Sequence, residues 1–199
     1  MENLRYKKVA IDNNVINWKA YQGLNPSIQG DPDKRREYQA ILELFHLQDR
    51  GQVIIMGVDQ VDREAKRTSN EAKRNALTET WSLCKEKYCL TRFETLTKSK
   101  KASKSTQESG INLKDGAHWM TDNYDKKIKE YVAVGTTPKE KVDLEVLATV
   151  AIAGVHVFVS IDNLLVGNKR IKGFVKQKDD IEIYYPSEII KLLCGKGNV

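Results

Sequence analysis

The chain has 199 residues, 40% hydrophobic and 30% charged. That is enough to bury a sizeable core, and it excludes a collagen-like, a wholly disordered or a disulfide-stapled chain. Lys and Arg number 33 against 27 Asp and Glu, a formal charge of +6 that favours an anionic partner such as nucleic acid or an anionic membrane surface.

In chain order, residues 4–11 end in Val9-Ala10-Ile11 and predict a first strand, halted at the turn-forming run Asp12-Asn13-Asn14. Residues 21–31 are loop-like, with Gly23, Pro26, Gly30 and Asp31. Asp31-Pro32 supplies an N-cap and a proline at the first helical position. The helix it opens runs to about Arg50, with Ile41, Leu42, Leu44, Phe45 and Leu47 at helical spacing. Gly51 closes it, and QVIIM at 52–56 predicts a short buried strand. A long polar helix is expected over 58–88. Residues 97–116 are Ser-, Lys- and Gly-rich with little apolar content, and are expected to form a mobile basic loop within a single domain spanning 1–199.

Helical character returns over 117–134. Thr137-Pro138-Lys139-Glu140 is a capping box with proline at the first helical position. The helix that follows, to Ala153, is apolar almost all round and therefore buried. Gly154 closes it. VHVFVS at 155–160 is a continuous apolar strand, as in a parallel sheet covered on both faces. A Lys-rich stretch follows at 169–178, then a last strand over 181–185 and a terminal helix opened by Pro186-Ser187-Glu188. Alternating strands and helices predict an α/β fold with a mostly parallel sheet.

Three cysteines (Cys84, Cys89, Cys194) and three scattered histidines (His46, His118, His156) match no zinc spacing. They read as the reduced thiols and isolated imidazoles of a cytoplasmic protein. The N-terminal residues lack the apolar run of a signal peptide. The most apolar stretch, 146–161, has 16 residues, short of the roughly 20 that a membrane span needs.

Ligands of open parallel sheets bind beyond the carboxyl ends of the strands, where Asp12 and Asp162 fall. Between Val142 and Asn168 there is no Lys or Arg, yet Asp143, Glu145 and Asp162 lie in or beside the most apolar segment. A buried carboxylate needs a positive partner or gives up its charge, so either a distant segment supplies a cation or the site takes a metal ion. Asp143 and Glu145 stand about 200° apart on a helix and cannot both face one site; Asp143, nearer the helix start, is favoured. Residues 58–71 offer Asp59, Asp62, Glu64 and Glu71. Glu64 shares a helix face with Val58 and Val61, whereas Asp59 suits a cap and Asp62 lies about 200° from Glu64. Glu64 is therefore taken as the fourth acid.

These residues together resemble the PIN-domain family of metal-dependent ribonucleases. The likeness lies in Val9-Ala10-Ile11-Asp12-Asn13-Asn14-Val15-Ile16, in Glu64, in Asp143-Leu144-Glu145-Val146-Leu147-Ala148, in Val157-Phe158-Val159-Ser160-Ile161-Asp162, and in Tyr185-Pro186-Ser187-Glu188-Ile189. It covers both ends of the chain well and the middle poorly. It departs at Asn13, where the family has Ser or Thr, and in the 79 positions from Glu64 to Asp143. The resemblance implies a three-layer α/β/α PIN-like domain acting as an endoribonuclease. Its four carboxylates, Asp12, Glu64, Asp143 and Asp162, would hold Mg²⁺ or Mn²⁺ and hydrolyse RNA phosphodiester bonds.

Asn14 and Ser160 would orient water or phosphate. Arg63 and Arg67, with Lys66, Lys73 and Arg74, are expected on the helix of Glu64; Lys100 and Lys101 belong to the basic loop; Lys169, Arg170 and Lys172 follow the Asp162 strand. All would track an RNA backbone, with Trp81, Trp119 and Tyr124 available either to stack on bases or to fill the core. The partners implied are RNA, a protein inhibitor (an antitoxin) if the domain is a toxin, and a second copy in a homodimer, with no membrane. Two other classes stand beside this one: a non-catalytic PIN-like scaffold that binds nucleic acid or protein, and an unrelated α/β phosphatase or nucleotide-binding protein. The last lacks a second Asp after Asp12 and any Gly-rich phosphate loop.

Overall fold

The computed structural model describes residues 7–20, 28, 30–58, 68–88 and 117–195, with side chains from 124 onward in the last segment. Five parallel strands, β1 (Lys8–Ile11), β2 (Ile54–Val58), β3 (Glu86–Tyr88), β4 (Val157–Val159) and β5 (Glu182–Tyr184), form one sheet in the order β3-β2-β1-β4-β5. Eight helices are seen among the described residues: α1 (Asn13–Ala20), α2 (Pro32–Asp49), α3 (Glu71–Ser82), α4 (Ala117–Val134), α5 (Pro138–Ile152), α6 (Asn163–Val166), α7 (Lys169–Asp179) and α8 (Pro186–Cys194).

The strands are apolar at successive positions because both sheet faces are covered. Side chains alternate across a strand. Val9, Ile11, Ile55, Val157 and Val159 therefore pack with α1, α2, α3 and α8 through Val15, Ile16, Ile41, Leu44, Phe45, Leu77 and Ile189. Ala10, Met56, Phe158 and Ile183 face the other way, against Tyr131 of α4, Leu144, Leu147 and Ala148 of α5, and Ile171 and Val175 of α7. The result is the expected three-layer α/β/α arrangement. Each aliphatic side chain so buried contributes roughly 1.5–3 kcal/mol.

Most local signals are obeyed. Asp31 caps α2 by accepting from the backbone N–H groups of Asp33 and Lys34. Gly51 and Gly154 take the left-handed conformation, with φ of 73° and 66°, that lets the chain leave α2 and α5. The capping box of Thr137 and Glu140 is formed.

Three expectations are corrected. Asp12-Asn13-Asn14 is not a turn: α1 starts directly at Asn13, with the Asp12 carbonyl accepting from Val15 N–H at 3.0 Å. Within 21–31, Ile28 and Gly30 have helical backbone where a loop was expected. The long helix over 58–88 does not exist. Val58 ends β2, residues 68–70 are not helical, Asn70 caps a shorter α3 through its side chain, and Glu86–Tyr88 is a fifth strand. The polar sequence of that strand misled the reading, because β3 is an edge strand with little to bury. Trp81, expected either to stack on bases or to fill the core, lies over Gly57 of β2, where an added Cβ would stand 2.0 Å from its ring. Tyr124 is partly buried against the core. The loop expected at 97–116 and the side chain of Trp119 lie outside the described residues. No helix among the described residues is long and apolar enough to cross a membrane.

Gln48 joins three of these elements. It is buried at 2% exposure. Its Oε1 accepts from Ile55 N–H of β2 at 2.8 Å, and its Nε2 donates to the Leu83 carbonyl at the end of α3, also at 2.8 Å. Gln48→Leu would leave a buried donor and a buried acceptor without partners. The expected loss is about 1–3 kcal/mol in urea unfolding; an unchanged midpoint would show that water replaces both bonds.

Candidate functional site

The strand order sets the site. The chain begins at the centre of the sheet, builds outward through β2 and β3, then crosses to the other side of β1 for β4 and β5. The carboxyl ends of β1 and β4 are thus neighbours whose following connections diverge, the position at which open parallel sheets place their ligand sites. Asp12 leaves β1 and Asp162 follows β4. The backbone N–H of Asp12 still donates to Val159 O at 2.8 Å, and that of Ser160 to Tyr184 O at 3.1 Å, so both chain exits are fixed by the sheet.

Asp12 is the best-held acid. Its Oδ2 accepts from Ser160 Oγ at 2.6 Å and from Asn14 Nδ2 at 3.3 Å. Burial pushes its carboxyl above the ordinary range, and the charge of Asp162 adds to that; the bonds from Ser160, Asn13 N–H and Asn14 oppose it. Ser160 is fully buried and in turn accepts from Asp162 N–H at 3.0 Å. Asn14 and Ser160, expected to orient water or phosphate, both hold Asp12.

Asp162 caps α6, its Oδ1 accepting from Leu164 N–H at 2.9 Å. Its Oδ2 meets Lys139 Nζ at 2.6 Å. Burial alone would raise its carboxyl, but Lys139 and the backbone N–H groups outweigh burial and hold it below the ordinary range. Asp143, one turn beyond Lys139 on α5, is partly buried. Burial first, then the charges of Asp12 and Asp162, push its carboxyl up to about 6, with Lys139 opposing. Three carboxylates from β1, α5 and β4 therefore act on one another, and one ammonium from α5 acts on all three.

The base of α5 is anchored so that Lys139 and Asp143 stay in place. Glu140 Oε2 accepts from Thr136 N–H at 2.8 Å, Thr136 Oγ1 at 2.6 Å and Arg170 Nη2 at 2.7 Å, and Oε1 accepts from Asn168 Nδ2 at 3.0 Å. The Thr136 hydroxyl and N–H lead in drawing its carboxyl down to about 2. Arg170, expected on the substrate side, belongs to this framework and also donates to the Val134 carbonyl. Lys73 and Arg74 stand on α3, which begins only at Glu71.

The structure thus brings Asp12, Asp143, Asp162, Asn14 and Ser160 together. Glu64, Arg63, Arg67, Lys100 and Lys101 lie outside the described residues, and the helix that framed the choice of Glu64 is interrupted before α3. Two residues have a place that the sequence did not show, Asn13 having been marked only as a turn former and a departure from the family pattern. Lys139 was seen only as part of a capping box, although its i,i+4 relation to Asp143 was there to read. Asn13 is 8% exposed, and among the described residues its Oδ1 has no hydrogen-bond partner.

The donors fit a hard divalent cation. Among the described residues they are carboxylate oxygens in excess over the single ammonium that acts on them. Mg²⁺ takes one or two carboxylates directly and keeps several waters. Among the described residues no three His, Cys, Asp or Glu side chains form a ready coordinating group. No family model matches the chain, and no curated protein or solved structure is significantly similar to it.

The raised carboxyl of Asp143 has a measurable consequence. The folded protein holds this proton more tightly than the unfolded chain, so the stability that Asp143 contributes in the metal-free protein is fully present below about pH 4 and is lost as pH rises through about 6. Asp143→Asn removes that loss. In EDTA at pH 7.5 it is expected to be more stable than wild type by about 1 kcal/mol once solvent screening is allowed for, the gap closing at pH 4. Denaturant titration across that range checks it; a variant less stable at pH 7.5 would contradict the repulsion.

Proposed function

We propose that the chain is a Mg²⁺- or Mn²⁺-dependent endoribonuclease of the PIN-like kind, with RNA as its substrate. The observation that carries the reading is the meeting of Asp12, Asp143 and Asp162 at the topological switch of a parallel sheet, in a chain of charge +6. These three would hold the metal, with Glu64 the fourth acid by resemblance. When bound, the ion supplies a water of lowered pKa and neutralises charge at the phosphate.

The protein's own groups do the positioning. Ser160 and Asn14 orient the Asp12 carboxylate. Asp143, titrating near 6 without metal, can hold or release a proton on its carboxyl close to neutral pH. Lys169 and Lys172, exposed and partly exposed on α7, follow the Asp162 strand and offer positive charge to a phosphate backbone.

A second reading, the non-catalytic scaffold, is favoured by one observation: Lys139 already neutralises Asp162. The two separate on a mixed RNA substrate tested with Mn²⁺, with Mg²⁺ and with EDTA. The nuclease cleaves only with metal; Asp143→Asn lowers the rate at least about 100-fold, and Ser160→Ala, which unhooks Asp12, about 10–100-fold. RNA binding with no cleavage in either metal would favour the scaffold, and cleavage that persists in EDTA would remove the metal.

A further inference from the structure

We propose that Lys139 is an internal competitor for the metal: its ammonium holds Asp162 in the metal-free protein and must leave that carboxylate before a divalent cation is bound there. This inference rests on the metal-site reading above.

The contact is specific to one oxygen. Asp162 Oδ1 is committed to the α6 cap, whereas Oδ2 meets Lys139 Nζ at 2.6 Å. A cation coordinated by Oδ2 and the ammonium would claim the same lone pairs. The placement of Lys139 also goes against local rules. It is the second residue of α5, and the N-terminal end of a helix is electropositive and favours acids. The end of α5 is already served by Thr137 and Glu140, so the capping of α5 does not call for a lysine there. What it gains is Asp162 directly, with Asp143 and Asp12 adding their charge.

The lysine is also built to leave. Its side chain is 53% exposed, whereas that of Asp162 is 14% exposed. The flexible stem can swing into solvent without repacking the core, while the carboxylate stays fixed by α6. Ion pairs of this exposure hold weakly, so a divalent charge facing three carboxylates displaces a single one. The contact lowers metal affinity modestly and keeps Asp162 satisfied until metal arrives.

The test is Mn²⁺ binding to the full chain, followed by electron paramagnetic resonance and calorimetry. Lys139→Met is expected to bind about three- to tenfold tighter than wild type, and Lys139→Arg, which keeps the charge, within about twofold of it. A second measurement reads the movement itself. Lys139 of the wild type should be acetylated faster at saturating Mg²⁺ than in EDTA, while Lys8, paired with Glu86 at 2.9 Å, shows no change. Equal or weaker Mn²⁺ binding by Lys139→Met, or Lys139 reactivity indifferent to metal, would overturn the competition and leave the metal site standing. Absence of Mn²⁺ binding in every protein would remove the metal site and the inference with it.

Discussion

The hydroxyl of Ser160 is the joint on which the acidic site depends. It donates to Asp12 Oδ2 and accepts from the N–H of Asp162. A hydroxyl offers one donor and two acceptor positions, and here donor and acceptor are turned toward two different strand ends. A carboxylate at the end of a central strand is costly unless donors meet it. Ser160 meets that need and, through the same oxygen, fixes how Asp162 departs from β4. The sheet register then sets the remaining relation, since β1 and β4 pair at Ile11 and Val159, one residue before Asp12 and three before Asp162.

Around this joint the molecule divides its charges unevenly. Outside the acid cluster, charged groups are satisfied and structural: Lys127 and Tyr131 of α4 hold Asp179 at the end of α7, and Glu37 of α2 accepts hydrogen bonds from the backbone and hydroxyl of Ser187 at the start of α8. At the switch point, carboxylates outnumber their countercharge among the described residues, and burial and mutual repulsion drive two of the three upward. Rigid, satisfied surroundings are what allow an unsatisfied centre to persist. Stability given up locally in this way is common at binding sites.

How much of this was legible in the sequence follows physical lines. Signals that act within a few residues were readable: the Asp31 cap, the Thr137–Glu140 box, the glycines closing α2 and α5, and the apolar run of β4. The site acids Asp12, Asp143 and Asp162 were readable because strand ends and a cation-free stretch mark them. What failed depended on partners distant in sequence. β3 looked helical because an edge strand has no apolar pattern of its own. Asn13 looked like a turn residue because the sheet that positions α1 lies elsewhere in the chain. The stretch from Val142 to Asn168 was read as lacking a cation, yet the cation comes from three residues upstream, hidden in what looked like nothing more than a cap. Ser160 was given to substrate because the sequence cannot show that its hydroxyl is already engaged.

The bond from Ser160 to Asp12 links residues 148 positions apart, and β1, the central strand, pairs with β4 only after α5 has been made. A nascent polypeptide therefore carries β1, β2 and β3 with one flank of its central strand still bare. On such an intermediate Asp12 has no hydroxyl partner, and neither Asp143 nor Asp162 has arrived. A product truncated before residue 157 would have three of the five strands and none of the assembled acid cluster, so whatever chemistry that cluster performs waits until β4 and Asp162 have been made.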